Sequence, residues 1–341
     1  MTGQVTILRP GLSSITDLGR HNAGRVGQMT AGALDQHSAR LANALIGRPD
    51  DNPLIEIVLL DFAAITTTDL LVAVTGTQAR ARINRVTMPR CEPFLWRAGT
   101  TLTIDRLEGG SRAYLAVRRE LRVPQLLGSC APDSVLGFGG HLHAGQRIEV
   151  DTDPRPLVHP AFGIPVLRIS APRPDLGRHW TIPVTDGPDR DEFGATADRL
   201  FSGTFRVTPQ SNHVGLRLAA DDGAAVPTRS RSSEVLSRGV PIGAVEVPAG
   251  DELLVLHRGR GVTAGYPVLA VVTQVGLSRL GQARPGHTAT FVRTSVTHAV
   301  AEARQQQSEI DRVRRRTVTV LGAHGVTSPA PQTPRTEIGQ E

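Results

Sequence analysis

Apolar residues along this chain fall in short runs, some continuous and some alternating with polar residues, which is the pattern of short β-strands. In the N-terminal half such runs predict strands at residues 4–8, 54–60, 70–74, 101–104, 112–117 and 147–150. Gly, Pro, Asn or Asp bounds each run, which favours an antiparallel barrel or sandwich over a doubly wound sheet. This half has one predicted helix, with Asp35 as N-cap, apolar residues at helical spacing from Ala39 to Ile46, and Gly47 at its end.

The second half again has many short strands with one or two helices, although the sequence contains no fixed-period repeat. It predicts strands at residues 166–169, 204–207, 243–247, 253–257 and 267–273, and helices at 191–201 and 298–315. Four prolines make residues 151–165 a candidate linker, and three more after residue 328 indicate a flexible end. We therefore predict an N-terminal domain at 1–150, a linker at 151–165, a C-terminal domain at 166–316 and a flexible tail at 317–341.

The composition supports a fold that is mainly β (α+β), and it excludes reactions that require a lysine side chain. The 341 residues include 35 glycines and 24 prolines, and only 4% are aromatic, so Val, Leu, Ile and Ala must build the cores. All 38 basic residues are arginines. Because lysine is absent, the chain has no Walker A motif, no Schiff-base or pyridoxal-phosphate lysine and no biotinyl-lysine.

The cysteines, the apolar runs and the pattern of charges indicate where the protein acts and what it binds. Cys91 and Cys130 form no Cys-x-x-Cys pair, and no signal peptide or apolar membrane span is evident, so we expect a cytoplasmic protein without membrane contact. Except at residues 312–316, the arginines are scattered and interleaved with acids, and no basic patch contains interleaved aromatic residues, so we expect no nucleic-acid binding.

Three polar segments are candidates for a binding site. Residues 17–20 and 32–35 form a glycine-rich loop in which backbone amides and Arg20 suit an anion, although an ordinary capped loop fits as well. Residues 209–217 combine an amide, a hydroxyl, a candidate base and a guanidinium, or else form a simple hairpin that turns at Asn212. Residues 259–267 resemble a phosphate-binding loop in glycine content, with a strand-connecting turn as the alternative.

The sequence also gives reasons against a metal site and against a serine hydrolase. His141 and His143 would face one side of a strand, as metal ligands do, but no third ligand has a characteristic spacing, so we predict no metal site. The chain has no Gly-x-Ser-x-Gly elbow, which argues against a self-contained serine hydrolase.

Many short segments, taken in their order along the chain, resemble one protein family. This family is known as allophanate hydrolase subunit 2, as KipA-like protein or as the C subunit of 5-oxoprolinase. A related module forms part of the carboxyltransferase region of urea carboxylase. The matching segments include residues 10–20, 31–35, 41–43, 112–117, 123–129, 210–217, 234–237, 243–248 and 263–267. The resemblance runs from about Val5 to about Ser295.

The resemblance implies two cyclophilin-like β-barrel domains with a few helices, and a role as one member of a complex. The implied partners are a KipI-like subunit 1 and a third, LamB/YcsF-like subunit, and the implied reaction is ATP-dependent opening of 5-oxoproline, a cyclic amide, to glutamate. ATP with Mg²⁺ would serve the complex, and biotin would take part only if a separate carrier delivered it. Such chemistry needs groups that hold phosphate and carboxylate in a site that excludes water.

On this basis we predict the site residues. Those assigned catalytic or orienting roles are Asp17, Asp35, Gln210 and Arg217. Those assigned to substrate or phosphate binding are Arg20, Ser211, Arg260, Thr263, Gly265 and Tyr266. No metal ligand is assigned.

The chain also departs from the family pattern. Thr16 replaces a usual Gln, Glu246 replaces a Gln, and Gly259 and Gly261 stand where Asp and Gln are usual. Further departures lie at residues 119–120 and 129–132. Two alternative functions therefore remain: a biotin-dependent carboxyltransferase component acting on urea or a similar amide, and a non-catalytic regulatory subunit that binds a KipI-like protein.

Overall fold

The computed structural model describes residues 2–151, 169–174, 176–221, 223–230, 235–248 and 252–323. Within these ranges two β-structures follow one another along the chain, with helices packed on their outer faces. The predicted linker and the predicted strand at 166–169 lie outside the described residues, apart from Asp151 and Ile169. Glu234 of the family match and residues 324–341 of the predicted tail also lie outside them.

The first β-structure is a ten-stranded sheet that curls into a half-barrel around one apolar core. Its strands are β1 Thr2–Arg9, β2 Ser14–Thr16, β3 Leu54–Val58, β4 Phe62–Thr66, β5 Leu70–Ile83, β6 Val86–Thr87, β7 Pro93–Trp96, β8 Thr101–Val117, β9 Leu121–Arg122 and β10 Arg147–Asp151. A 3-10 helix at Ala23–Val26 and helix α1 at Gln36–Leu45 complete it. The predicted alternation holds in β1, where Val5 and Ile7 are buried and Gln4 and Thr6 are half-buried.

One correction concerns the predicted strands at 101–104 and 112–117, which form the single strand β8. Pairing with β5 continues past the glycines between them, from Leu102 to Val117, although β5 shifts register twice. Gly109 takes a left-handed φ of 75°, so it bends the strand without ending it.

The second β-structure is a closed seven-stranded barrel in the order β11-β18-β15-β16-β13-β12-β19. Strands of this half are β11 His179–Asp186, β12 Thr204–Val207, β13 Gly215–Asp221, β14 Arg238–Gly239, β15 Ala244–Glu246, β16 Glu252–Leu256, β17 Thr263–Ala264, β18 Val268–Val272 and β19 Thr288–Arg293. Strand β19 closes the barrel by pairing antiparallel with β12 and parallel with β11. Phe205 and Phe291 meet edge to face in its core, with ring centroids 5.8 Å apart.

The helices of this half differ in detail from their predictions. The predicted helix at 191–201 is a 3-10 helix at Arg190–Asp198, kinked at Gly194, followed by α2 at Arg199–Ser202. Helix α3 spans Gln274–Leu280. Helix α4 spans Val296–Ala323, so it continues past residue 316, where we predicted a tail.

Helix α4 returns to the half-barrel and packs against α1. Its buried Ile310 and Leu321 join an apolar cluster with Leu41 and Leu45, and Arg314 forms an ion pair with Asp50. The predicted mainly β fold class with few helices is thus confirmed for the described residues. Within those ranges no helix combines the length and apolar character that a membrane span requires.

Glu246 is an unusual acid of the barrel, since its side chain is buried without a partner. Its neighbour Val245 faces the barrel core, whereas Ala244, on the same side of β15 as Glu246, packs in an outer apolar cluster. Glu246 is 1% exposed, and neither carboxylate oxygen has a hydrogen-bond partner among the described residues. Burial raises the pKa of Glu246 from 4.5 to about 7.

We predict that Glu246→Gln stabilises the protein in a pH-dependent manner. Below pH 4.5 the carboxyl group is protonated in both folded and unfolded chains. As pH rises towards 7 only the unfolded chain loses the proton, so the wild type becomes less stable. The variant's advantage in the free energy of unfolding should grow by about 2 kcal/mol between pH 5 and pH 8. Urea denaturation at both pH values measures it, with the exposed Glu149→Gln as control. If the difference in the free energy of unfolding between the variant and the wild type is no larger at pH 8 than at pH 5, the prediction is wrong.

Candidate functional site

A cavity of about 530 Å³ lies between the half-barrel and the barrel. The half-barrel contributes β2, β3, β8 and the loop 132–141, and the barrel contributes the loop 209–213, Gly259 and the segment 280–285. Most of its lining is apolar, for example Leu12, Leu34, Val58, Pro132, Phe138, Leu216, Leu280 and Ala283. An apolar cavity of this volume with a few converging polar groups is typical of a small-molecule site. We call it the cleft.

The polar groups of the half-barrel wall come from three neighbouring strands. Ser14 of β2 lies opposite Glu56 of β3, which lies opposite Tyr114 of β8. Directly opposed residues of antiparallel strands share a face, and Arg112, two residues before Tyr114, lies on that face as well. The sheet itself therefore collects these side chains beside the cleft.

Glu56 and Arg112 form a half-satisfied ion pair. Glu56 Oε1 accepts a hydrogen bond from the Tyr114 hydroxyl at 2.8 Å and lies 3.6 Å from Arg112 Nε. Arg112 Nη1 donates to Ser111 Oγ at 2.7 Å and to the Gly281 carbonyl at 2.5 Å, while Nη2 has no hydrogen-bond partner among the described residues. Nε has no hydrogen-bond partner either, since Glu56 lies beyond hydrogen-bond distance, so Arg112 lines the cleft with two nitrogen atoms that donate to no described residue. Burial raises the pKa of Tyr114 well above 10, so its hydroxyl remains a donor.

The two β-structures are joined at the segment that follows α3. Gln282 Nε2 donates to Asp35 Oδ2 at 2.7 Å and to the Arg112 carbonyl at 3.0 Å, and its Oε1 accepts from the Arg112 amide at 3.0 Å. A Cβ on Gly281 would lie 2.6 Å from the Leu34 carbonyl carbon, so only glycine permits this approach. These contacts fix the width of the cleft.

On the barrel side, local hydrogen bonds shape the loop 209–213. Ser211 Oγ accepts from the Arg217 amide at 3.0 Å, and Asn212 Oδ1 accepts from the Val214 amide at 2.8 Å. The predicted hairpin turn at Asn212 is therefore present, between β12 and β13. His213 follows, and its carbonyl accepts a hydrogen bond from the Gly259 amide at 3.0 Å.

His213 lies close enough to the half-barrel wall for the charged groups of that wall to act on it. Burial lowers the pKa of His213 below 6.5, as do Arg112 and His141, while Glu56 acts in the opposite sense. His141 is held beside Ser14 by an isolated β-bridge. Imidazoles from both β-structures therefore line one cleft.

The structure places the first predicted anion loop beside this cleft but turns its charged side chains away from it. Asp17 accepts hydrogen bonds from the Gly19 amide, the Ser129 hydroxyl and the Cys130 amide. Arg20 is 1% exposed and donates to the carbonyls of Leu126 and Ala131. Both side chains hold their loop against residues 126–131.

The next four predicted residues surround the cleft without all lining it. Asp35 caps α1 by accepting the Ser38 amide at 3.0 Å, and it also holds Gln282. Ser211 lines the cleft, whereas Gln210 is exposed outside its lining. Arg217 forms an ion pair with Glu252.

The remaining predicted residues form a group of their own on the barrel. Arg260 is buried and donates from Nη2 to the Val240 carbonyl at 2.8 Å. Thr263, Gly265 and Tyr266 are exposed, and β17, which contains Thr263, pairs with β14. None of the four lines the cleft. The main chains beside the predicted loops 32–35 and 259–267 nevertheless meet at the cleft, where the Ala31 amide donates a hydrogen bond to the Arg258 carbonyl at 2.9 Å.

Glu56 and Arg112 were not among the predicted site residues, and His141 was considered only as a metal ligand. A signal was present in β3, where Glu56 stands alone between Ile55 and Ile57. A charged residue on the outer face of an otherwise apolar strand indicates a partner or a cavity on that face. The described residues contain no group of three or more His, Cys, Asp or Glu that could hold a metal ion.

Comparisons with known proteins agree with this architecture. Residues 26–293 match the family model "Carboxyltransferase domain, subdomain A and B". The chain is 31% identical to the C subunit of 5-oxoprolinase from Escherichia coli over 88% of this chain and 94% of that protein. It is 28% identical to urea amidolyase of Saccharomyces cerevisiae over 85% of this chain but only 17% of that protein. Among solved structures, Kluyveromyces lactis urea carboxylase superposes with a TM-score of 0.80 at 27% identity, over 91% of this chain and 29% of that one.

The chain therefore belongs to the carboxyltransferase domain family, subdomains A and B. The resemblance found in the sequence is confirmed. It extends to the C subunit of 5-oxoprolinase and to the carboxyltransferase parts of urea amidolyases.

We predict that Arg20→Ala destabilises the fold, because it removes charged hydrogen bonds to two carbonyl groups. The free energy of unfolding should fall by roughly 2–4 kcal/mol. The exposed Arg25→Ala should change it by less than about 0.5 kcal/mol. Urea denaturation compares the two variants, and equal stabilities would show that Arg20 has no structural role.

Proposed function

We propose that this chain is a subunit of an ATP-dependent 5-oxoprolinase that opens a cyclic amide to glutamate, together with a KipI-like subunit 1 and a LamB/YcsF-like subunit. The observation that carries the proposal is the cleft, where Arg112, Glu56, His213 and His141 converge from both β-structures. The 31% identity to a 5-oxoprolinase subunit over nearly the full length of both chains supports the choice of substrate class.

The chemistry of the cleft suits a small amide that carries a carboxylate. The free Nη2 of Arg112 offers a charged donor for a carboxylate or amide oxygen. Ser111 and the Gly281 carbonyl hold the guanidinium by hydrogen bonds, and Glu56, which Tyr114 orients, lies 3.6 Å from its Nε. The apolar side chains that line much of the cleft suit the carbon atoms of such a substrate. The volume exceeds what a five-membered lactam alone requires, which leaves room for a second reactant.

The cleft does not fit ATP with Mg²⁺. Its guanidinium, Arg112, is largely engaged by Glu56, Ser111 and Gly281, whereas a triphosphate calls for several cations and its metal for oxygen ligands. The described residues offer no cluster of acids for that metal. We therefore propose that another subunit binds the nucleotide.

Biotin-dependent carboxyl transfer to urea or a similar amide is the second candidate. The family model and the fold shared with urea carboxylase favour it. The chain has no lysine, so biotin would have to be delivered by a separate carrier protein. A regulatory subunit that binds a KipI-like protein without catalysis is the third.

Reconstitution of the full complex separates these candidates. The chain should be purified with its KipI-like and LamB/YcsF-like partners and supplied with 5-oxoproline and ATP. Release of glutamate with ADP supports the oxoprolinase. Consumption of urea only when a biotinylated carrier and bicarbonate are present supports carboxyl transfer. Stable partner binding with no turnover of either substrate supports the regulatory role. Either this result or urea consumption that depends on the biotinylated carrier rejects the oxoprolinase proposal.

We predict that Arg112→Gln lowers kcat/KM of the active complex by about 10²-fold, because the substrate loses a charge-assisted contact with a largely buried guanidinium. Arg85→Gln, in the exposed turn between β5 and β6, is the control and should leave the rate unchanged. Steady-state kinetics measure both, and thermal unfolding checks that Arg112→Gln remains folded. An unchanged kcat/KM in a folded variant argues that the substrate does not contact Arg112.

A further inference from the structure

His213 is exposed in the loop 209–213, whereas His257 and His287 of the barrel are buried. His257 is fully buried, with Nε2 bonded to the Leu277 carbonyl at 3.2 Å and Nδ1 accepting from the Arg258 amide at 3.0 Å. His287 Nδ1 accepts from Trp180 Nε1 at 3.0 Å. Those imidazoles serve the fold. The His213 ring has no hydrogen bond to any described residue, and it lines the cleft.

The position of this ring depends on glycine at 259. A Cβ built on Gly259 would lie 2.3 Å from His213 Cδ2 and 2.9 Å from the His213 carbonyl oxygen. Real Cβ atoms do not approach so closely, so any side chain at 259 would displace the imidazole. The absence of a side chain at residue 259 therefore creates the space that the imidazole occupies.

The groups that face His213 belong to the half-barrel. Arg112 and Glu56 come from β8 and β3, and His141 comes from the loop 132–141. Arg112, whose Nη2 donates to no described residue, lines the opposite wall. A ligand between the two walls would therefore meet a cationic donor on one side and an unbonded imidazole on the other.

We propose that His213 is the proton acceptor of this cleft, taking the N–H proton of a bound amide whose oxygen is held by Arg112. This inference rests on the proposed function for its substrate class. The N–H bond of the amide breaks, its electron pair stays on the amide as an imidate, and the proton forms an N–H bond on the neutral imidazole. The imidate oxygen then attacks the γ-phosphorus of ATP held by a partner, and the bond between that phosphorus and ADP breaks as ADP leaves. In the second candidate function the imidate nitrogen attacks the carboxyl carbon of carboxybiotin on a carrier, and the N–C bond to biotin breaks. The imidazolium afterwards returns its proton to solvent.

The electrostatics of the cleft suit this role. Burial, followed by Arg112, lowers the pKa of His213, so the imidazole is neutral and able to accept a proton at pH 7. Arg112 at the same time stabilises the negative charge that develops on the amide oxygen. Both carboxylation of an amide nitrogen and phosphorylation of an amide oxygen require this proton to leave.

The kinetic test uses His213→Gln in the assembled complex. General-base catalysis contributes about 10²–10⁴-fold, so kcat should fall within that range while KM changes little. The acidic limb of the pH–rate profile, set by a pKa below 6.5, should disappear. A loss in kcat of less than about tenfold, or an acidic limb that persists, overturns the proposal.

A matched pair of glycine variants tests the positioning by residue 259. Gly259→Ala should lower kcat because its Cβ displaces the His213 ring, whereas Gly261→Ala, whose Cβ would meet its nearest atom at 3.6 Å, should not. Near-ultraviolet circular dichroism checks that both variants are folded. Equal rates for the two folded variants contradict the positioning.

A binding measurement keeps this inference separate from the proposed function. The His213 ring resonances of the full-length chain are followed by NMR as 5-oxoproline or urea is added, with those of His257 and His287 as internal references. A shift confined to His213 with either amide supports the proposal, and the absence of a shift with both overturns it. If the shift occurs but the complex turns over no amide, the proposed function fails while the contact between His213 and an amide stands.

Discussion

The contact between Gln282 and the backbone of Arg112 connects the two β-structures and determines the cleft. The Gln282 side chain binds both the amide and the carbonyl of Arg112, and it also binds the carboxylate of Asp35 at the start of α1. The neighbouring Gly281 approaches Leu34 too closely for any side chain. Since buried polar groups are costly to leave unpaired, these reciprocal bonds hold the barrel in one position against the half-barrel.

Arginine serves mainly as a structural donor in this chain. Arg20, Arg112, Arg118 and Arg284 each donate to at least one main-chain carbonyl group far away in sequence. The planar guanidinium has five donors in a fixed arrangement and stays charged, so a single side chain can satisfy several acceptors inside a fold that has no lysine. The number of arginines is therefore a poor guide to anion binding here, because several of them are used in holding loops and domains together.

The cleft combines one wall built by strand register with another built by a turn. On the half-barrel, antiparallel pairing places Ser14, Glu56 and Tyr114 in a row, a geometry that the sheet enforces. On the barrel, the turn at Asn212 and the space above Gly259 determine where His213 lies. The first wall offers a cation already anchored by a carboxylate, and the second offers a neutral base. Such a pair suits the activation of an amide, in which a proton leaves as charge develops on oxygen.

The sequence by itself determined the type of fold and the family. Short apolar or alternating runs bounded by turn residues identified most of the strands, and the helix capped by Asp35 was predicted to within a residue at its start. The tertiary structure alone decided where the charged side chains lie. Arg20 and Arg260 sit in loops that resemble anion sites, yet their guanidiniums turn inward to carbonyl groups, while Arg112, predicted only as part of a strand, lines the cleft. Periodicity specifies which face of its own strand a residue occupies, whereas the surroundings of that face depend on contacts such as that of Gln282, which join residues 170 positions apart.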